Sequence, residues 1–340
     1  MPVLAADTAS SGSSIASPGL WAVSIAVLLA LLVVDFVVTR KPHEVSMREA
    51  VGWSVFYLAL PFVFAGYIWA EYGGPQGLEF VTGFVVEKSL SVDNLFVFML
   101  ILSAFAVPAE LQQRVLLYGI VGALVLRAIF IAAGAAMLQA GTWAFLVFGA
   151  VLFITAVRVF RDAVRHQEPI GDVSEMRVVR ALRRWMPVTD SYRGAKLTVR
   201  DGGRRALTPL AVVVVAVFAT DVVFAVDSVP AVYGITEDPY LVFTTNAFAL
   251  LGLRALYFVL AVALSRLTYL NHGLAVILAF ISVKLVLHWA HGVWPAVPEI
   301  PTTASLIVIV LVLATVIVAS LRRREDTAAL AAPADRGESR

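Results

Sequence analysis

The sequence predicts an all-α, polytopic membrane protein with about nine transmembrane helices and two inverted three-helix repeats. Three observations support this prediction. Of the 340 residues, 60% are hydrophobic and only 15% are charged, whereas globular proteins are nearer half apolar and a quarter charged. Apolar runs of about 20 residues, the length that crosses a bilayer, recur along the chain. Two of these runs carry acidic residues in matching sequence contexts.

The apolar runs divide the chain in order. They cover residues 20–39, 51–70, 78–105, 114–139, 143–164, 207–233, 240–264, 270–290 and 302–321. We therefore expect an extracytoplasmic tail (1–19), two first helices (20–77), repeat 1 (78–164), a basic loop (165–206), repeat 2 (207–290), a last helix (291–321) and a tail (322–340). The last tail is rich in alanine, proline and charge, which predicts disorder.

Lysine and arginine are distributed unevenly between the loops, and this predicts the orientation. Loops 40–49, 165–206, 265–268 and 322–324 are basic, whereas loops 71–77, 140–142, 234–239 and 291–301 contain no lysine or arginine. We therefore expect a protein of the bacterial inner membrane. Nine crossings place its N-terminus outside and its C-terminus in the cytoplasm. Within the cytoplasmic loop, KLTVRDGGRRALTP predicts a β-hairpin that turns at Asp201-Gly202.

The repeat is carried by three pairs of segments. EKSLSVDNLFVF (87–98) aligns with TDVVFAVDSVPA (220–231), GALVLRAIFI (122–131) with ALLGLRALYF (249–258), and ITAVRVF (154–160) with FISVKLV (280–286). The aligned positions are Glu87 with Asp221, Asp93 with Asp227, Asn94 with Ser228, Arg127 with Arg254 and Arg158 with Lys284. Since each copy crosses the membrane three times, the second copy is inverted, which is an architecture of transporters.

Four acidic side chains are predicted at membrane depth: Glu87, Asp93, Asp221 and Asp227. A carboxylate there costs about 2.5–3.5 kcal/mol on insertion scales, so each must face a base, a cation or the bundle interior. One reading is structural, with the acids paired to Arg127, Arg254 and Lys284, and to Lys88. The other is an ion site. We expect some of the acids to hold the arginines and the others to bind an ion.

Helical spacing separates the acids within each motif. Six residues turn a helix by about 120° in azimuth, so Asp221 and Asp227 do not share a face, whereas Ser228 shares the face of Asp221. Both acids reach one ion only if the helix bends, and Pro230 predicts such a distortion.

The expected metal ligands are Glu87, Asp93, Asn94, Asp221, Asp227 and Ser228, with Asn246 as a further oxygen donor. Oxygen donors suit Mg²⁺, Ca²⁺ and Mn²⁺ better than Cu²⁺ or Zn²⁺. The chain has no cysteine, which excludes disulfides, zinc–thiolate sites and cysteine nucleophiles. His288 and His291 lie beside Trp289 and Trp294, which favours interfacial packing over a metal site.

The two motifs, EKSLSVDNLFVF and FATDVVFAVDSVPAVYGITEDPYLVFTTNAFALLGLRALYF, resemble the TerC family of integral membrane proteins over about residues 50–320, with closest likeness to its Alx-type branch. The resemblance implies an exporter grouped with the LysE type, a link to tellurium resistance, and manganese export, which several members are implicated in. By position it also implies that the four motif acids, with Asn94 and Ser228, form the site.

We therefore expect a transporter that exports a divalent cation by alternating access, and Mn(II) is the ion we expect before any other. Two alternatives stay open: an exporter of a small organic cation or amino acid, and an accessory protein for membrane-complex assembly. An enzyme is not expected, because the aspartates lack the GxGD motif of intramembrane aspartyl proteases. The lipid bilayer and the transported ion are the expected partners, without a prosthetic group or nucleic acid, and the oligomeric state is left open.

Overall fold

The computed structural model of the protein describes residues 14–38, 47–165, 179–180, 184, 187–189, 191–201, 204–253, 256–257 and 269–331. Its helices are α1 (Pro18–Val38), α2 (Met47–Tyr72), α3 (Gly74–Ala104), α4 (Ala109–Ala140), α5 (Trp143–Arg165), α6 (Pro209–Tyr233), α7 (Pro239–Leu251), α8 (Leu270–Val293) and α9 (Thr302–Ala331). Two short strands, β1 (Thr198–Asp201) and β2 (Arg204–Leu207), complete the described elements.

The helices confirm the predicted all-α, multi-pass class. Seven of those described are long and apolar enough to cross a membrane, and α3, although it carries several charges, is 31 residues long. The end of α9 differs from the prediction: the helix continues to Ala331, so part of the tail that was expected to be disordered is helical. α7 ends at Leu251, and most of the expected 240–264 run beyond it lies outside the described residues.

The predicted hairpin in the basic loop is confirmed. Strands β1 and β2 pair antiparallel, with Thr198 opposite Leu207 and Asp201 opposite Arg204. The Tyr192 hydroxyl, just before β1, donates a 2.7 Å hydrogen bond to the carbonyl of Phe105 at the end of α3. The hairpin is therefore anchored to the end of the helix that carries the first acidic motif.

The helices of the two predicted repeats pack reciprocally. The first helices, α3 and α6, contact each other, α3 packs on α7 as α4 packs on α6, and the third helices α5 and α8 pair closely. A two-fold axis between inverted repeats requires this pattern. The inverted repeat itself stays a prediction.

Glycines bring α4 close to α6. A Cβ added to Gly119 would lie 2.8 Å from Cγ1 of Val217, and one added to Gly122 would lie 2.7 Å from Cδ2 of Phe218. Small residues at such contacts let membrane helices approach closely, which is how helix packing is stabilised where no water is expelled.

The α5–α8 contact has a polar tie as well. The hydroxyl of Ser282 on α8 donates a 2.7 Å hydrogen bond to the carbonyl oxygen of Gly149 on α5. Gly149 has no side chain to keep the helices apart, and a Cβ there would lie 3.3 Å from the carbonyl oxygen of Ser282.

The surface of the bundle is apolar, as contact with lipid requires. Large hydrophobic side chains are exposed along the outer helices, for example Val63 on α2 (71%) and Leu311 on α9 (61%). In a protein surrounded by water, apolar exposure on this scale would drive association.

Candidate ion site

A buried guanidinium lies at the centre of the bundle. Arg127 on α4 is fully buried and forms an ion pair with Glu87 on α3. Its Nη1 donates a 2.6 Å hydrogen bond to Oδ1 of Asn246 on α7, and its Nη2 lies 3.8 Å from Oδ1 of Asp221 on α6. One side chain thus links four helices, two from each predicted repeat.

The polar residues of α3 share the buried face that holds Glu87. Ser91 and Asn94 follow Glu87 by four and seven residues, which is the spacing of one helical face. All three are buried, with exposed fractions of 0%, 0% and 3%. All three polar side chains therefore lie inside the bundle rather than against lipid.

The two aspartates of α6 differ in burial, as their spacing along the helix predicts. Asp221 and Ser228 are each 1% exposed, whereas Asp227 is only half-buried. α6 is helical throughout from Pro209 to Tyr233, so the helix is not unwound at Pro230, and the bend expected there stays a prediction. Because proline has no N–H, residue 230 donates no helical hydrogen bond to the carbonyl of Val226, which directly precedes Asp227.

Several buried polar atoms of this cluster have no hydrogen-bond partner among the described residues. They are Glu87 Oε2, Ser91 Oγ, Asn94 Nδ2, Asp221 Oδ2 and Ser228 Oγ. An unpaired buried polar atom costs about 1–3 kcal/mol, more when it is charged. Native proteins keep few of them, and an ion or a water is the usual explanation. The oxygen atoms among them come from both acidic motifs, whereas the amide nitrogen of Asn94 is a hydrogen-bond donor and cannot ligate a cation.

The remaining predicted site residues lie in different places. The side chain of Asp93 and the whole of Arg254 lie outside the described residues. Asp227 interacts electrostatically with Arg127. Across the described part of the chain, no three His, Asp or Glu side chains already converge as a metal site requires. In this conformation, therefore, the guanidinium of Arg127 occupies the space between the carboxylates of Glu87 and Asp221.

The lysines are drawn away from the cluster. The ammonium of Lys88 donates a 3.2 Å hydrogen bond to the carbonyl oxygen of Ala249 on α7. Lys284 does not join the motif acids; it lines a separate cavity, where Glu79 and Glu299 act on its charge. Glu79 was not identified from the sequence, although a single acid eight residues before Glu87 in an apolar helix was a usable signal.

The cavity that Lys284 lines, here called the mouth cavity, measures about 560 Å³. It lies where α6 and α8 end and α3, α7 and α9 begin, which is the side predicted to be extracytoplasmic. Its polar lining includes Glu79, Thr236, Glu237, Lys284, His288 and Glu299. His288 contacts carboxylates there, so its role goes beyond the packing with tryptophans that the sequence suggested.

Comparison with known proteins identifies the family. The model of the integral membrane protein TerC family matches residues 72–328, most of the chain and both acidic motifs. The chain belongs to the TerC family. It is therefore a multi-pass integral membrane protein, and the resemblance drawn from its motifs is confirmed.

Relatives of this TerC family protein match along most of its length. It is 44% identical to an uncharacterized membrane protein of Myxococcus xanthus, covering 81% of this chain and 85% of the relative. It is 39% identical to the "Putative membrane-bound redox modulator Alx" of Escherichia coli K12, covering 81% and 88%. It is also 39% identical to an uncharacterized membrane protein of Mycobacterium tuberculosis, covering 86% and 76%. No solved structure matches the chain.

Proposed function

We propose that this protein is a membrane transporter that exports a divalent cation, with Mn(II) as its substrate. One observation carries the proposal: a buried cluster of carboxylate, hydroxyl and amide groups, many of them without a partner, lies where the two predicted repeats meet. Ionisable groups at membrane depth are costly and mark ion pathways. Transporters built from inverted repeats bind their substrates at this interface.

The charge balance favours a cation. Among the described side chains, Glu87 and Asp221 lie next to a single guanidinium, that of Arg127. Lys88 and Lys284 are engaged elsewhere. Within this described group the carboxylates outnumber the bases, and a cation compensates the excess negative charge.

The ion pairs of Arg127 are unequal, and this suggests how the site binds and releases. Glu87 is in direct contact, whereas Asp221 is 3.8 Å away and makes no hydrogen bond to the guanidinium. A cation that reaches the cluster competes with Arg127 for Asp221 first. Glu87 then keeps Arg127 in place, while Asp221 supplies carboxylate oxygens to the cation. Oxygen donors suit Mn²⁺, Mg²⁺ and Ca²⁺, and the family resemblance favours manganese among them.

The proposal is tested with purified protein in liposomes that contain a manganese-sensitive dye. We expect protein-dependent Mn²⁺ flux that Asp221→Asn abolishes, because the amide removes the charge and keeps the shape. Asp162→Asn, at the far end of α5, is the matched control and should leave the flux unchanged. Flux of an amine or amino acid without Mn²⁺ flux would support the organic-cation alternative. Absence of any flux in the wild type would reject the transporter proposal.

A cellular experiment gives an independent measure. A strain lacking this gene should accumulate manganese when the medium contains an excess of it. Wild-type protein should restore normal content, and Asp221→Asn, expressed to the same level, should not. Growth of the same strains on tellurite tests the tellurium resistance that the family resemblance implies.

A further inference from the structure

The mouth cavity lies above the ion cluster along the same helix. Glu79, which lines the cavity, precedes Glu87 by eight residues on α3, a distance of about 12 Å along a helix axis. Two loops close the cavity from opposite sides. The loop between α6 and α7 contributes Glu237, and the loop between α8 and α9 contributes Glu299.

His288, near the end of α8, joins these two loops. Its Nε2 lies 3.1 Å from Oε1 of Glu237, and its Nδ1 contacts Oε1 of Glu299. A carboxylate only accepts hydrogen bonds, and a neutral imidazole has one donor. Both contacts are hydrogen bonds only when both ring nitrogens carry a proton, that is, in the imidazolium form.

The surroundings of His288 support its bridging position. The ring of Phe145 on α5 meets the imidazole edge to face, with centroids 4.5 Å apart, and fixes its orientation. Glu237 lies at Nε2 and Glu299 at Nδ1, on different edges of the ring, whereas a metal bound by one nitrogen of His288 would need both carboxylates on the side of that nitrogen. The other charged or titratable groups around the cavity are Glu79 on α3, Tyr233 on α6, Asp238 in the α6–α7 loop and Lys284 on α8.

Most of these groups have partners of their own. Glu79 accepts a 2.7 Å hydrogen bond from the Thr236 hydroxyl, and the Tyr233 hydroxyl donates to the carbonyl of Ile131. Asp238 caps the start of α7 by accepting from the amide of Tyr240 at 2.8 Å. His288 is therefore the group through which a change of protonation acts on both loops at once.

We propose that His288 is a proton-operated latch on the exit of the transport path. The inference rests on the proposed transport function, since it treats the mouth cavity as the exit. With the imidazolium present, both carboxylates are held and the loops stay together. When the proton leaves, one ring nitrogen becomes an acceptor that faces a carboxylate oxygen, that contact becomes repulsive, and the loops separate. The exit therefore opens as the pH outside rises.

Thiol labelling of the full-length protein in detergent tests the latch, without metal and without a transport measurement. Thr236 lines the cavity and is 3% exposed, so Thr236→Cys reports opening. Gly292→Cys, exposed and with nothing within 4 Å of its Cβ, corrects for the chemistry of the thiol itself. From about pH 6 to about pH 9, which spans histidine titration, the labelling rate at position 236 relative to 292 should rise. The expected rise is about two- to fivefold, the effect of losing one ion pair whose partners are partly exposed to solvent.

Variants of the latch decide the outcome. In the Thr236→Cys background, His288→Gln should label rapidly at both pH values, and so should Glu299→Gln, which serves if the first variant does not fold. His291→Gln is the matched control, because the hydrogen bond described for His291 is with the carbonyl of Val297 rather than with a carboxylate, and it should keep the pH dependence. A ratio that does not change with pH, or a pH response that survives His288→Gln, overturns the latch. Neither result depends on whether Mn²⁺ is transported.

Discussion

Arg127 and Glu87 form an ion pair in which neither side chain is exposed. The two residues lie on neighbouring helices of the same predicted repeat, and Asp221 of the other repeat lies near the same guanidinium. The pair therefore fixes a positive charge at the inter-repeat contact. Its removal should affect folding before it affects ion binding.

We first predict that Arg127→Leu strongly lowers the amount of folded protein. Breaking a buried pair leaves an uncompensated charge and typically costs about 3–5 kcal/mol. The measurement is monodisperse protein in detergent by size-exclusion chromatography. Adding Glu87→Gln should restore abundance in part but not transport. The exposed Arg161→Leu on α5 is the control. Wild-type abundance of Arg127→Leu would mean that the arginine is dispensable for folding.

The second prediction concerns the close approach of α4 and α6. Gly119→Ala should lower thermal stability, because its Cβ would lie 2.8 Å from Cγ1 of Val217, which is fully buried and cannot move aside. Overpacking of this kind costs about 1–3 kcal/mol. Melting in detergent measures it.

Gly66→Ala on α2 is the matched control, since nothing lies within 4 Å of its added Cβ. It should be neutral or slightly stabilising, because alanine favours a helix over glycine by about 1 kcal/mol. Equal melting temperatures for the two variants would contradict the packing argument.

A third prediction concerns the tie between α5 and α8. Ser282→Ala removes the hydrogen bond to the carbonyl of Gly149. Interhelical hydrogen bonds in membranes average about 0.6 kcal/mol, with about 1.7 as a maximum, so a small but measurable loss of thermal stability is expected. Thr315→Val on α9, whose hydroxyl bonds the carbonyl of Leu311 in its own helix, should cause a smaller change. The reverse order would reject the tie as a stabilising contact.

The fourth prediction is the orientation. Single cysteines at Ser191, before the hairpin, and at Gly292, at the end of α8, are both exposed. The native chain has no cysteine, so an impermeant thiol reagent reads each position without background. Position 292 should label in intact cells and position 191 only after lysis. Labelling of position 191 in intact cells would reverse the topology.

Much of the fold was predictable because lipid imposes simple rules. Membrane-spanning segments must be long, apolar and hydrogen-bonded within themselves, so the apolar runs predicted most of the described helices to within about five residues. The hairpin followed from turn chemistry. The extension of α9 to Ala331 was not predictable in this way. Charged residues after an apolar run mark where the chain leaves the membrane, but they do not mark where the helix ends.

The site was predictable in part. Helical periodicity correctly grouped Asp221 with Ser228 and separated Asp227 from them. It could not show that Asn246 accepts a hydrogen bond from Arg127, or that Lys284 turns to the mouth cavity. Those relationships depend on how helices distant in the chain pack together, and nothing local to either residue encodes them.

The close contacts of α4 with α6 and of α5 with α8 have a mechanical consequence. Each contact joins one helix from each predicted repeat, one through glycines and the other through the Ser282–Gly149 hydrogen bond. Helices held backbone to backbone move together more readily than they separate. In the proposed transport cycle we therefore expect the rigid bodies to be mixed pairs, each drawn from both predicted repeats, with the sliding surface between the pairs rather than along the boundary between the repeats.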